Sequence, residues 1–350
     1  MTLTLQDHVA AVLADPLAAA RSARQPLGFV GADLPPELAL ATGRVFCHLP
    51  WQVGRATPRA NQWLESSFPG WARSMLEDWA DGHFDLFEAV VFTRGDDAAQ
   101  RLYYYICELQ RLGRLQGPRA LMLDAATIPR DSSVQHCRRA LQQLLDELGL
   151  GAADIAQGIL AANLRRRWYQ QLAATPGLPG QLREQLGRAS LFQDIHAEGA
   201  TLTLPAAAPG RPLLLAGSAP PDDRLHAAVA AAGWNVCSEL HARSLQRFGA
   251  PIDVGQDDPL LALARRLNTQ PWGPRSFVNR EALLQQELDT AQPAAAVLWL
   301  TEEDESIAWD LARLRSVLAA RAIPTLVLMR RRWALDDGAT DSINAFLGEL

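Results

Sequence analysis

Residues 295–300 read AAVLWL and residues 324–329 read PTLVLM, two uninterrupted apolar runs that start 29 residues apart. Short apolar runs bounded by turn-forming and polar residues predict strands buried on both faces. An equivalent pair stands earlier in the chain, AVVFT at 89–93 and ALML at 120–123, with starts 31 residues apart. Each pair is preceded by two further runs: LGFVG at 27–31 and VFCHL at 45–49 in the first half, LLLA at 213–216 and NVC at 235–237 in the second. Helical stretches separate these runs. Strands that alternate with helices predict parallel sheets covered on both faces.

The expected fold class is therefore α/β, two Rossmann/flavodoxin-like parallel-sheet units with an N-terminal helix and a helical insert between them. The chain divides as residues 1–25, an amphipathic helix packed on the first unit; 26–204, the first unit with its helical extension; and 205–350, the second unit. A length of 350 residues suits two domains at roughly 150 residues each. Within the first unit, Trp63, Trp71 and Trp79 recur every eight residues, which predicts one helical face used mainly for core packing. The extension predicts helices over Ser132–Leu148, Ala152–Ala174 and Pro179–Asp194. The segment Pro205–Pro212, PAAAPGRP, reads as a linker, and a last helix covers Thr340–Leu350.

Composition narrows the function. Hydrophobic residues make up 48% and charged residues 21% of the chain, as in ordinary globular proteins, and a net charge of −6 gives no reason to expect nucleic acid as a partner. No apolar stretch approaches the roughly 20 residues that span a bilayer, so no membrane partner and a cytoplasmic location are expected. All 33 basic residues are arginine. Schiff-base catalysis and a Walker-type phosphate loop, both of which need lysine, are excluded. The four cysteines, Cys47, Cys107, Cys137 and Cys237, form no CxxC pair, so no metal site is expected from them. Ligands in open parallel sheets bind beyond the carboxyl ends of the strands. Candidate residues there are Arg94-Gly95, Glu302-Glu303-Asp304-Glu305 and Arg330-Arg331-Arg332. Two further pairings are conceivable, Cys47 with His48 and Glu239 with His241 and Asp96-Asp97. Adjacent strand residues face opposite ways, which counts against the first, and solvated side chains are the simpler expectation for the second.

Several motifs in order resemble the 2-hydroxyacyl-CoA dehydratase and benzoyl-CoA reductase family, in its D-component-like subunits. They are LPPELALATG at 34–43, Asn163-Leu164-Arg165-Arg166, the strand ending in Gly217-Ser218, Gly233-Trp234-Asn235-Val236 followed by Glu239, and the closing strand and helix. The resemblance implies a [4Fe-4S] cluster held by three cysteines between the two units and used in electron transfer to an acyl-CoA. It places the ligand positions near Trp71, near Gly95 and near Glu303 and Asp304, none of which is cysteine. Substrate-binding candidates are Glu37, Thr42 and Gly43 in the resembling LPPELALATG segment, and Arg94, Arg330 and Arg331, because arginines at the carboxyl ends of strands suit a phosphate-bearing ligand, which the resemblance would make coenzyme A.

The resulting expectation is a diverged, cluster-free subunit with a degenerate iron-sulfur site. It would bind acyl-CoA or pair with a cluster-bearing homologous subunit or a second copy. An active dehydratase or reductase subunit with an atypically ligated [4Fe-4S] cluster, and a scaffold without small-molecule ligand, stand as alternatives. The acidic run at 302–305 and the arginines at 330–332 follow neighbouring strands, and paired in forks they would brace the vacated cavity.

Overall fold

The structure, a computed structural model, describes residues 4–31, 34–196, 210–254, 258–269 and 277–350. The first half supplies β1 (Leu27–Val30), β2 (Phe46–His48), β3 (Ala89–Thr93) and β4 (Arg119–Leu123). The second supplies β5 (Arg211–Gly217), β6 (Trp234–Leu240), β7 (Ala295–Thr301) and β8 (Thr325–Arg331). They form two four-stranded, all-parallel sheets in the orders β2-β1-β3-β4 and β6-β5-β7-β8. The two orders are the same, so the doubled sequence pattern is a doubled topology and the fold is the α/β, two-unit, Rossmann-like arrangement. One irregularity sits in β6, where Leu213 faces Val236 and Leu214 faces Ser238, leaving Cys237 as the extra residue of a bulge.

Fourteen described helices surround the sheets: α1 (Leu5–Ala14), α2 (Ala18–Ser22), α3 (Pro36–Thr42), α4 (Pro58–Trp63), α5 (Gly70–Ala80), α6 (Asp97–Arg111), α7 (Asp131–Leu148), α8 (Ala152–Ala173), α9 (Gly180–Ala189), α10 (Arg224–Ala231), α11 (Pro259–Asn268), α12 (Arg280–Ala291), α13 (Glu305–Ala320) and α14 (Ala339–Gly348). Alternation along the strands sends side chains to opposite faces, and each face has its own apolar layer. Leu27, Val91 and Leu123 meet α7 on one side of the first sheet, while Val30, Val90 and Phe92 meet the tryptophan-rich helices on the other. In the second sheet Leu213, Val297 and Trp299 pack towards α10 and α14, and Leu214, Leu298 and Leu300 towards α12 and α13.

Three expectations are corrected. The N-terminal segment is two helices, broken at Asp15-Pro16, where proline has no N–H to continue the ladder. Leu5, Val9 and Val12 of α1 bury against Tyr169, Leu178 and Leu186 of the first unit's helical extension. The tryptophan stripe is split, because the chain leaves helix at Leu64 and re-enters after Pro69, so Trp63 and Trp71 lie on different helices. The expected linker lies outside the described residues as far as residue 209; Arg211 and Pro212 already belong to β5.

The second half also returns a helix to the first. Leu260, Leu263 and Leu267 of α11 join the layer between the first sheet and α7. Asn268 fastens that helix by donating to the carbonyls of Ala126 (2.9 Å) and Ile128 (3.0 Å). Among the described residues no helix is long and apolar enough to cross a membrane.

Helices α3 and α8 approach closely at Gly158: a Cβ there would stand 2.3 Å from the Glu37 carbonyl oxygen. Gly158→Ala is expected to cost about 1–3 kcal/mol in urea unfolding, because α3 must shift to admit one methyl group. Gly348→Ala, whose Cβ would meet nothing within 4 Å, should be neutral or slightly stabilising in the same measurement.

Candidate functional site

The carboxyl ends of both sheets open into one cavity of about 590 Å³, within the range of small-molecule sites. Its wall takes Val30 at the end of β1 and Gly31 after it, His48 at the end of β2, Gly95 and Asp96 after β3, Ser218 after β5, and Thr301, Glu303 and Asp304 around the end of β7. The turns that build it repeat between the units. Thr93-Arg94-Gly95-Asp96 leads from β3 into α6, and Thr301-Glu302-Glu303-Asp304 leads from β7 into α13. In each the threonine is buried and the aspartate caps the helix, Asp96 accepting from the Ala99 amide (3.0 Å) and Asp304 from the Ile307 amide (3.4 Å). Glycines with positive φ, Gly31 (110°) and Gly217 (116°), end the central strands β1 and β5. A Cβ on Gly217 would lie 2.3 Å from the Trp299 carbonyl, so glycine is required by space as well as by conformation. Ser218 then ties the second unit's turn together: its hydroxyl accepts from the Thr301 amide (3.0 Å) and donates to Asp304 (2.9 Å).

The wall has three parts. Trp51 and Trp71 from the first unit and Trp333 from the second make it aromatic, and Trp51 meets Trp333 edge to face at 5.3 Å. Trp333 donates to Glu303 at 3.1 Å. An acidic side comprises Asp96, Glu303 and Asp304. Burial raises the Asp96 carboxyl above its ordinary pKa, with the charge of Asp304 adding to the effect, and burial likewise raises Glu303. A basic side comprises Arg188, Arg224 and Arg243. Arg188 and Arg243 share the buried carboxylate of Glu184, at 3.0 and 3.6 Å, which leaves one positive charge in excess there. Arg224 pairs with Asp222 at 2.9 Å. His48 lies between Phe29 and Phe192, and burial together with Arg243 and Arg247 pulls its pKa down to about 4, so the ring is neutral near pH 7.

Trp71, Gly95, Glu303 and Asp304, the four positions at which the resemblance puts cluster ligands, all line this cavity. The residues given substrate-binding roles do not join them. Glu37 and Gly43 line a second cavity on the other side of Leu191. The Thr42 hydroxyl closes the end of α3, donating to the Ala39 carbonyl (2.7 Å) and accepting from the Arg44 amide (3.0 Å). Arg94 turns to Asp124 (2.7 Å) and borders a separate opening beside α7. Arg330 and Arg331 lie outside the lining of these cavities, Arg330 exposed.

Among the described side chains, which do not include that of Glu305, no ion pair joins Glu302, Glu303 or Asp304 to Arg330, Arg331 or Arg332 in the expected fork. Arg331 donates to the Asp337 carbonyl (3.1 Å) and Arg332 pairs with Asp336 (3.2 Å), because the turn after β8 supplies acceptors closer than the neighbouring strand does. The sequence signal that marks the cavity is instead the repeated T-x-x-D after the third strand of each unit, which strand patterning alone did not single out.

A [4Fe-4S] cluster needs thiolates, and none of the cavity's described lining residues is cysteine. The nearest in sequence, Cys47, turns its thiol away from His48's side of the strand and is fully buried against the Pro16 carbonyl (3.4 Å), its pKa pushed up to about 12 by burial. Among the described residues no three His, Cys, Asp or Glu side chains are grouped to hold a metal ion. The residues present therefore do not fit the cluster. In comparisons with known proteins, no family model and no curated protein matches this chain.

Glu239 and His241 are not solvated. With His226 they form a buried group behind the cavity, in which both imidazoles donate through Nε2 to Glu239 Oε1, at 2.7 and 3.2 Å. Burial alone would raise the Glu239 pKa, but His241 and His226 outweigh it and hold the carboxyl far below the usual range. A carboxyl depressed on folding stabilises the protein above its unfolded pKa, and that contribution is lost as pH falls through the folded value. Urea midpoints should thus fall on acidification below about pH 4.5. Glu239→Gln should lose about 3–5 kcal/mol at pH 7 and show a flatter acid limb.

Proposed function

We propose that the cavity between the two sheets binds an acyl-CoA or a similar anionic thioester without iron-sulfur chemistry. On this reading the protein is a cluster-free relative of the 2-hydroxyacyl-CoA dehydratase subunits, working beside a cluster-bearing homologous subunit or a second copy of itself. The observation that carries it is the meeting of Trp71, Gly95, Glu303 and Asp304 in one cavity that has no thiol on its described wall. The aromatic side offers apolar surface for an acyl chain. Arg188, Arg224 and Arg243 offer guanidinium groups for the anionic part, the part expected of Arg330 and Arg331 from their place at a strand end.

Calorimetric titration with acetyl-CoA, longer acyl-CoAs and free CoA tests this directly. Saturable binding is expected, weakened about tenfold by Trp71→Ala or Arg188→Gln, more weakly held at high salt, and unchanged by Arg330→Gln. Absence of binding by every CoA species removes the reading. Anaerobically purified protein should be colourless, and a brown protein with stoichiometric iron would favour the atypically ligated cluster instead.

A second reading rests on the titrating groups. A neutral His48 faces the same space as two carboxyls, Asp96 and Glu303, whose pKa values are raised. Groups of opposite protonation preference around one ligand suit proton transfer. Incubation of a bound acyl-CoA in D₂O should then wash deuterium into the carbon next to the thioester carbonyl, and Asp96→Asn should stop it. No exchange with the wild-type protein leaves binding alone.

A further inference from the structure

The second cavity, about 440 Å³, lies among α3, α8, the 3₁₀ turn Leu245–Phe248 and α11. Five arginines line it, and three have carboxylate partners: Arg44 with Glu88 (3.1 Å), Arg165 with Asp194 (2.7 Å), and Arg166 with the buried Glu37. The other two are held differently. Arg247 donates to the carbonyls of Gly187 and Arg243, both at 3.2 Å, and to the Ser190 hydroxyl at 2.6 Å. Arg266 donates to the Phe248 carbonyl at 3.2 Å. Among the described residues neither forms an ion pair with a carboxylate. Both are half-buried, and burial lowers their pKa values, that of Arg247 to about 10.

Guanidinium groups removed from water without a counter-ion are costly, and arginine has no neutral form to retreat to under physiological conditions. Apart from Ser190, Gln193 and the carboxylates Glu37 and Asp194, the rest of the wall is largely apolar, with Phe29, Leu40, Phe46 and Leu191. Glu37 adds an acceptor, since its Oε2 is buried and has no hydrogen-bond partner. We propose that this cavity is a binding site for a small organic anion, a carboxylate or phosphate ester with an apolar body, whose charged group is gripped by Arg247 and Arg266. The body lies against Phe29 and Leu40, and a hydroxyl or amine on it donates to Glu37. The site is separate from the cleft between the sheets and does not depend on what binds there.

Phenyl phosphate, benzoate and inorganic phosphate are the probes, followed by calorimetry and thermal unfolding of the full chain. Phenyl phosphate or benzoate should bind at one site per chain, and whichever binds more tightly identifies phosphate or carboxylate as the recognised group. Inorganic phosphate should bind more weakly because it buries no apolar surface. Arg266→Gln should weaken the better probe about tenfold, and Ala39→Phe, which fills the cavity, should abolish its binding. Trp71→Ala, in the other cavity, should leave it unchanged. As a measurement on the wild-type protein, the better probe should protect Arg247 and Arg266 from phenylglyoxal, read by peptide mass spectrometry. No saturable binding by any probe overturns the proposal. Binding that Trp71→Ala removes, or that leaves Arg247 and Arg266 unprotected, overturns it as well. Neither result bears on CoA titration, which reads the first cavity.

Discussion

Parallel strands cannot be joined by tight turns, and every connection must cross a face of the sheet and start again from the same edge. All carboxyl ends of a unit therefore emerge together, and the cleft between the sheets is built from those edges. Two units of the same order meet edge to edge, so β1, β3, β5 and β7 deliver their following residues to one space. The hydroxyl of Ser218, between Thr301 and Asp304, shows how tightly the edge is built, since one buried group serves the ends of β5 and β7 and the start of α13. The aromatic contact of Trp51 with Trp333 carries the wall across from one unit to the other.

A basic complement made only of arginine shapes the interior. Lysine can shed its proton when buried, whereas a guanidinium keeps its charge and must find acceptors. Here many of these acceptors are carboxylates or backbone carbonyls. Arg166 takes both, reaching Glu37 and the Phe248 carbonyl (2.8 Å). It joins two of the sequence motifs noted at the outset, the LPPEL segment and the Asn163-x-x-Arg166 element, and Asn163 exchanges two hydrogen bonds with the backbone of Ile252 (2.8 and 2.7 Å). These motifs hold helices together. Glu37 and Gly43 accordingly line the second cavity rather than the cleft between the sheets.

Apolar patterning was a sufficient guide to all eight strands, because each is buried on at least one face and the runs are closed by glycine, proline or charge. It also located the cleft, through the rule that ligands sit beyond strand ends. It was a poor guide to which charged residues face inward. Arg94 and Glu303 occupy similar places after their strands, yet one turns to Asp124 and the other to Trp333, a choice made by neighbours distant in sequence. Arg188 and Arg243, which supply positive charge to the cavity, come from α9 and from the loop after β6, and no local pattern distinguishes them from the chain's other arginines. Glu239 and His241 look like surface residues until β6 is placed in the sheet beside α10, which brings His226 to the same carboxylate.

The return of α11 to the first unit has a consequence for the order in which the protein acquires its shape. Leu260, Leu263 and Leu267 complete an apolar layer most of whose other members, from Leu27 to Ile159, come from the first half of the chain. Domains generally fold as units while the chain is still being made. This first unit does not have all its parts until residue 268 has left the ribosome, so for much of synthesis α7 presents an uncovered apolar face. Such a face is an obvious target for chaperone attention. The two units are thus independent in topology but interlocked in time: the second unit's layers are built from its own residues, whereas the first unit's layer against α7 is completed by α11.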